Sequence, residues 1–185
     1  MGLLLIFAVL IGITFWICYN RIIGRHNRAQ RAWADVLVYE RQKTRVLDQL
    51  ELQVAGFKTY EGALLEKITG LRSAIGKLPQ EANGDALQSV QKGTRELLAG
   101  LSVAFEAYPE LKANELVGNF MREITEQQEN VGAAITLFNG AVEIFNNSIQ
   151  MFPSSLVNGC LNKKNAIIPF SDAEASAVFE YKPNF

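Results

Sequence analysis

Apolar positions recur at helical spacing through most of this chain, most regularly between residues 116 and 152. There Leu116, Phe120, Ile124, Gln127, Val131, Ile135, Phe138, Val142, Phe145, Ile149 and Phe152 step by three or four, with Gln127 the only polar member. Such a near-heptad seam predicts a long amphipathic helix packed in a bundle, closed by Pro153. Three further stripes precede it. Ala29, Trp33, Val36, Leu37, Val46, Leu47, Leu50 and Val54 form one face of a helix, interrupted where Glu40 and Lys43 fall on it. Leu64, Leu65, Ile68, Leu71 and Ile75 mark a helix over about 60–77, and Leu87, Val90, Leu97, Leu101 and Phe105 another over about 86–108. Pro79 and the Asn83-Gly84 pair break the chain between these two. After residue 153 the periodicity fades.

The N-terminal pattern is of another kind. Leu3 to Tyr19 carries no charge, whereas every one of the 18 basic and 19 acidic side chains lies beyond it. A hydrocarbon core of about 30 Å takes roughly 17–25 helical residues, so this run, extended by its neighbours, is long enough to span. Trp16 and Tyr19 stand near its C-terminal end, where amphipathic rings settle among headgroups. The two-residue start and the lack of an A-x-A site count against a cleaved leader. Ile6 stands where a myristoylation motif needs Ser or Thr. Arg21, Arg25, Arg28 and Arg31 follow the span before any acid appears, which by the positive-inside rule keeps the body cytoplasmic. With only Gly24 between Tyr19 and Asn27, the span is expected to run directly into the first amphipathic helix. That continuous helix, Leu3 to Val54, would be about 78 Å long.

The expected architecture is therefore all-α: a transmembrane anchor (1–23), an up-and-down four-helix bundle (24–153) and an irregular tail (154–185). A net charge of −1 argues against nucleic acid as a partner. Two cysteines and one histidine leave no zinc module, and no nucleotide-binding or metalloprotease motif is present. His26, beside the membrane with no nucleophile near it, reads as solvated. Cys18 reads as a small hydrophobe in the apolar run. Glu123, Glu126 and Glu129 read as a solvated or partner-facing strip, since the Glu-x-x-His of di-metal bundles is missing. No enzymatic activity, metal or cofactor is expected. Asn139 and Asn146 follow Phe138 and Phe145 at a seven-residue repeat, and Asn130 is read as extending their row. Buried amides must be hydrogen-bonded, so these are expected to pair across helices and fix register, with a ligand site as the alternative.

These residues, taken with others, resemble the LemA family of bacterial membrane proteins over essentially the whole chain. Ala107-Tyr108-Pro109-Glu110-Leu111-Lys112-Ala113-Asn114 is similar to the family's AYP-x-LKAN signature. Glu129-Asn130, Phe138-Asn139, Val142, Phe145-Asn146 and Ile149 follow in the family's order. Phe152-Pro153-Ser154-Ser155-Leu156-Val157 matches its FPS-x-x-V. Upstream, Tyr19-Asn20, Ala32-Trp33 and Gly56-Phe57 fit as well. Tyr108, Pro109, Leu111, Lys112, Asn114, Phe152 and Pro153 thereby join the three asparagines as structural motif positions. Two departures stand out: Asp48 replaces a proline, removing a kink, and Phe138 and Phe145 replace tyrosines. The resemblance implies a single-pass protein of the bacterial inner membrane with no established enzymatic activity. A self-assembling structural or interaction protein is the expected function, with the lipid bilayer and further copies of itself as partners. Phe57, Tyr60, Phe170, Phe179, Tyr181 and Phe185 lie outside the strongest seams and need cover. The alternative is an accessory subunit of a membrane protease or another envelope complex.

Overall fold

The computed structural model describes residues 1–55, 61–107 and 115–172. Helix α1 runs unbroken from Gly2 to Val54, 53 residues or about 80 Å. Helix α2 (Glu61–Gly76) and helix α3 (Leu87–Ala107) are joined through a 3-10 turn at Gly84–Ala86. Helix α4 covers Glu115–Gln150. A short helix α5 (Ser154–Val157) and one π turn (Asn158–Asn162) follow. Residues 163–172 have no regular structure. No strand occurs among the described residues, so the expected all-helical class holds.

α1 and α4 form the main packed pair, antiparallel and in fixed register. His26 meets Phe145, Trp33 meets Phe138, and Lys43 meets Gln128. Each advance along α1 is thus matched by an equal retreat along α4. The α2–α3 hairpin packs on the far half of α1, where Arg72 bridges Asp48 at 2.8 Å and also reaches Glu51. Asp48 therefore supplies an ion pair as well as an unkinked helix. The Trp33 indole N–H donates to the Pro79 carbonyl at 2.9 Å, and the Ala82 N–H donates to Gln30 Oε1 at 3.1 Å. Both bonds hold the α2–α3 connection against α1.

The stripes sit inward where the spacing placed them, with three differences. The seam of α4 is buried or half-buried from Phe120 to Ile149, but Leu116 and Phe152 at its ends are exposed. Glu40 and Lys43 do not interrupt the inner face of α1; they are part of it, at 0% exposure. The tail does not leave the core at residue 153, because Val157 and Ile167 are buried and Phe170 packs against the core. Nor does the core stop at the end of the apolar run. Cys18 and Ile22 belong to it, and Phe15 leans on it. The rest of that run is exposed, its best window having a mean hydropathy of 2.4 with 6% buried. This one helix is long and apolar enough to cross a membrane.

Candidate functional site

Three asparagine side chains grip the tail by its backbone. Asn139 Nδ2 donates to the Phe170 carbonyl at 2.8 Å, while the Phe170 N–H donates to Asn139 Oδ1 at 2.9 Å. Asn146 does the same with Ile167, at 2.8 and 2.9 Å. Asn158 does so with Lys164, at 2.9 and 3.0 Å. The spacing explains the match. Seven residues of α-helix advance about 10.5 Å, and three residues of extended chain advance about 9–10 Å. Residues 164, 167 and 170 face one side at a period of three, which is the period of polyproline II and not of a strand. From the other side the Gly84 N–H donates to the Ile168 carbonyl at 2.9 Å. A Cβ on Gly84 would lie 2.1 Å from the Phe170 nitrogen, so only glycine admits the strap there.

This corrects the expected role of the two amides. Asn139 and Asn146 do not pair across helices; each spends its donor and acceptor on the extended strap. Asn130 is not in their row. It lies nine residues before Asn139, two and a half turns, which puts it on the opposite side of α4, half-buried. Asn158 completes the set and was not anticipated, since it falls beyond the periodic region.

A second polar cluster lies in the core and also escaped the pattern. Lys43 Nζ donates to Glu40 Oε2 at 2.9 Å, Thr94 Oγ1 at 3.2 Å and Gln128 Oε1 at 2.8 Å, using all three of its protons. Glu40 Oε1 accepts from Gln91 Nε2 at 3.1 Å, and Gln128 Nε2 donates to Gln91 Oε1. The Thr94 hydroxyl passes its own proton to the Val90 carbonyl at 2.9 Å. Burial pushes the Glu40 carboxyl up and the Lys43 ammonium down from their ordinary values, and their mutual attraction opposes both shifts. The network closes on itself, joining α1, α3 and α4. Its sequence signal was two charges on an apolar face three residues apart, the spacing at which helical side chains meet.

Toward the apolar end of α1, Trp16 is exposed and Tyr19 borderline exposed. Arg21, Arg28 and Arg31 are exposed and Arg25 half-buried. His26 is not solvated as expected; it is half-buried, edge-on to Phe145 with ring centroids 5.2 Å apart. Burial, and after it the Lys164 ammonium, lower its pKa from the ordinary value, opposed by a hydrogen bond with Asn27 and by Glu81. Phe152 and Pro153 follow α4 through a cis peptide bond. Tyr108, Pro109, Leu111, Lys112 and Asn114 lie outside the described residues, as do Phe57, Tyr60, Phe179, Tyr181 and Phe185. No group of three or more His, Cys, Asp or Glu side chains is placed to hold a metal among the described residues.

The protein called LemA from Metamycoplasma hominis is 27% identical over 139 residues, 74% of this chain and 63% of that protein. This chain therefore spans a little under two thirds of that curated relative. A model of the LemA family matches residues 32–178, from the second turn of the amphipathic part of α1 through the strap and beyond. The chain belongs to the LemA family.

Proposed function

We propose that this protein is a non-enzymatic, membrane-anchored interaction protein that self-assembles at the bacterial inner membrane with its bundle in the cytoplasm. The observation that carries the reading is the unbroken α1. One helix is both the apolar segment and a wall of the core, so the bundle is held rigidly on its anchor. A cleaved leader would be separable from the body, whereas Cys18 and Ile22 are core residues.

Two further features support interaction over chemistry. The buried polar side chains of both clusters are spent on the chain itself, which leaves outward faces as the place to act. Those faces carry exposed Val38, Leu52, Val103, Leu137 and Ile144. Anchoring confines copies to a plane with parallel axes and raises their effective concentration. Ala8 and Gly12 form a small-xxx-small pair in the apolar run, so neighbouring spans can pack closely there while the bundles supply the larger contact. A ring of copies with cyclic symmetry follows from parallel axes and one repeated contact. Orientation rests on Arg21, Arg25, Arg28 and Arg31, which follow the uncharged run Leu3–Tyr19 before any acid appears.

Light scattering of the full-length protein in mild detergent tests the reading. A homogeneous particle of several copies is the expected result, weakened but still folded when residues 1–14 are deleted. A particle that stays monomeric across detergents and concentrations overturns self-assembly. If such a monomer becomes stable only with a second protein, it is an accessory subunit of an envelope complex.

A further inference from the structure

The segment that follows α4 ends up at a level no soluble segment would choose. The register of α1 against α4 places Ile149 opposite Ile22, because His26 meets Phe145 and Trp33 meets Phe138. The same register puts Met151 and Phe152, the first two residues past α4, opposite Asn20 and Tyr19. α5 and the π turn both pack on α1, and the Asn162 amide marks the level by donating to the Tyr19 carbonyl at 3.4 Å. Tyr19 closes the apolar run, two residues before Arg21.

The side chains on this foot match that depth. Val157 turns inward and is fully buried, which fixes the segment to the core. Met151 (63% exposed), Phe152 (80%), Leu156 (52%) and Leu161 (56%) turn outward. Apolar residues exposed together in this way mark an interaction surface. Immediately after them the chain turns through Lys163, in the left-handed region at φ 49°, and continues into Lys164. Lys163 and Lys164 line one pocket with His26 and Gln30, about two to three turns of α1 past Tyr19 on the side away from the span. Apolar side chains below and lysines above is the layering of an interfacial segment.

We propose that residues 151–164 are a second membrane-binding element, a foot seated in the bilayer interface beside the span. Met151, Phe152, Leu156 and Leu161 enter the acyl–headgroup boundary, and Lys163 and Lys164 meet anionic headgroups. The occupant is lipid, because the surface is continuous with the helix that enters lipid and lies at the depth of its aromatic marker. The inference rests on reading Leu3–Tyr19 as a span. The foot would fix the angle of the bundle to the bilayer, which a single helix leaves free to tilt.

Cys160 lies on the exposed side of the π turn and serves as the probe. The full chain, with Cys18→Ala, takes a nitroxide on Cys160 and is reconstituted in phosphatidylcholine–phosphatidylglycerol vesicles. Spin relaxation by oxygen, which partitions into lipid, is compared with relaxation by a water-soluble nickel chelate. Labels at Leu10→Cys in the span and Leu137→Cys on the body, each with Cys160→Ser, give the two reference values. The Cys160 label is expected to favour oxygen, as at position 10, and Lys163→Glu with Lys164→Glu is expected to move it toward nickel. A Cys160 label as aqueous as that at 137, with position 10 in lipid, overturns the foot and leaves the anchor standing. An aqueous label at position 10 overturns both. An oxygen-favouring label that ignores the lysine substitutions overturns the electrostatic half.

Discussion

Asn146 and Ile167 exchange two hydrogen bonds, the side-chain amide of one closing on the backbone N–H and carbonyl of the other. An amide does this without regard to the side chain it faces, so strap and helix are joined by backbone geometry. Asn146→Asp keeps the acceptor and removes the donor, leaving the Ile167 carbonyl unpaired, a loss of about 1–3 kcal/mol. Hydrogen exchange checks it. The Ile167 and Phe170 amides should lose protection in Asn139→Ala with Asn146→Ala, which removes their acceptors, while those of α4 itself keep theirs.

Lys43 and Glu40 should behave as a unit. Lys43→Met leaves a buried carboxylate without its cation and should cost about 3–5 kcal/mol. Replacing the whole network by apolar residues of similar size (Glu40→Leu, Lys43→Met, Gln91→Leu, Thr94→Val, Gln128→Leu) should cost less than that single change. Denaturant midpoints of the two variants decide the order.

Gly84 and Gly132 give opposite outcomes for the same substitution. Gly84→Ala drives a Cβ into the backbone of Pro169 and Phe170 and should expose the strap to limited proteolysis. Gly132→Ala, exposed within α4 with nothing near its Cβ, should stabilise by roughly 0.5–1 kcal/mol through helix propensity.

His26 makes stability depend on pH. Its folded pKa lies below the ordinary 6.5, so the folded chain holds fewer protons than the unfolded one just under that value. The contribution is present above 6.5 and is lost as pH falls through the folded pKa. Denaturant midpoints should therefore fall more steeply below pH 6.5 for the wild type than for His26→Gln.

Topology is best read at a thiol on the body, clear of the proposed foot. Leu137→Cys, 71% exposed on α4, with Cys160→Ser, should resist an impermeant thiol reagent in intact cells and react after lysis. Rapid labelling before lysis would place the body outside.

Much of this protein is carried by local rules that a linear sequence displays. An uncharged run of seventeen residues is long and apolar enough to cross a membrane by length and solvation alone, and a three-four apolar repeat is an amphipathic helix by geometry. The helix spans therefore agree with the periodicity to within a residue or two at most ends, and the seam of Phe138, Val142 and Phe145 is core. What the sequence could not fix is whatever depends on two distant segments meeting. Glu40 and Lys43 look like faults in a stripe until Gln91, Thr94 and Gln128 arrive from other helices to satisfy them. Asn139 and Asn146 display a repeat but not a partner, because what they bind is backbone, which every residue has and no pattern marks. His26 is solvated or half-buried according to where Phe145 falls, and Phe152 ends a seam it does not join. Tertiary structure decided these because hydrogen bonds and burial are properties of pairs, and only the antiparallel register of α1 and α4 sets which pairs form.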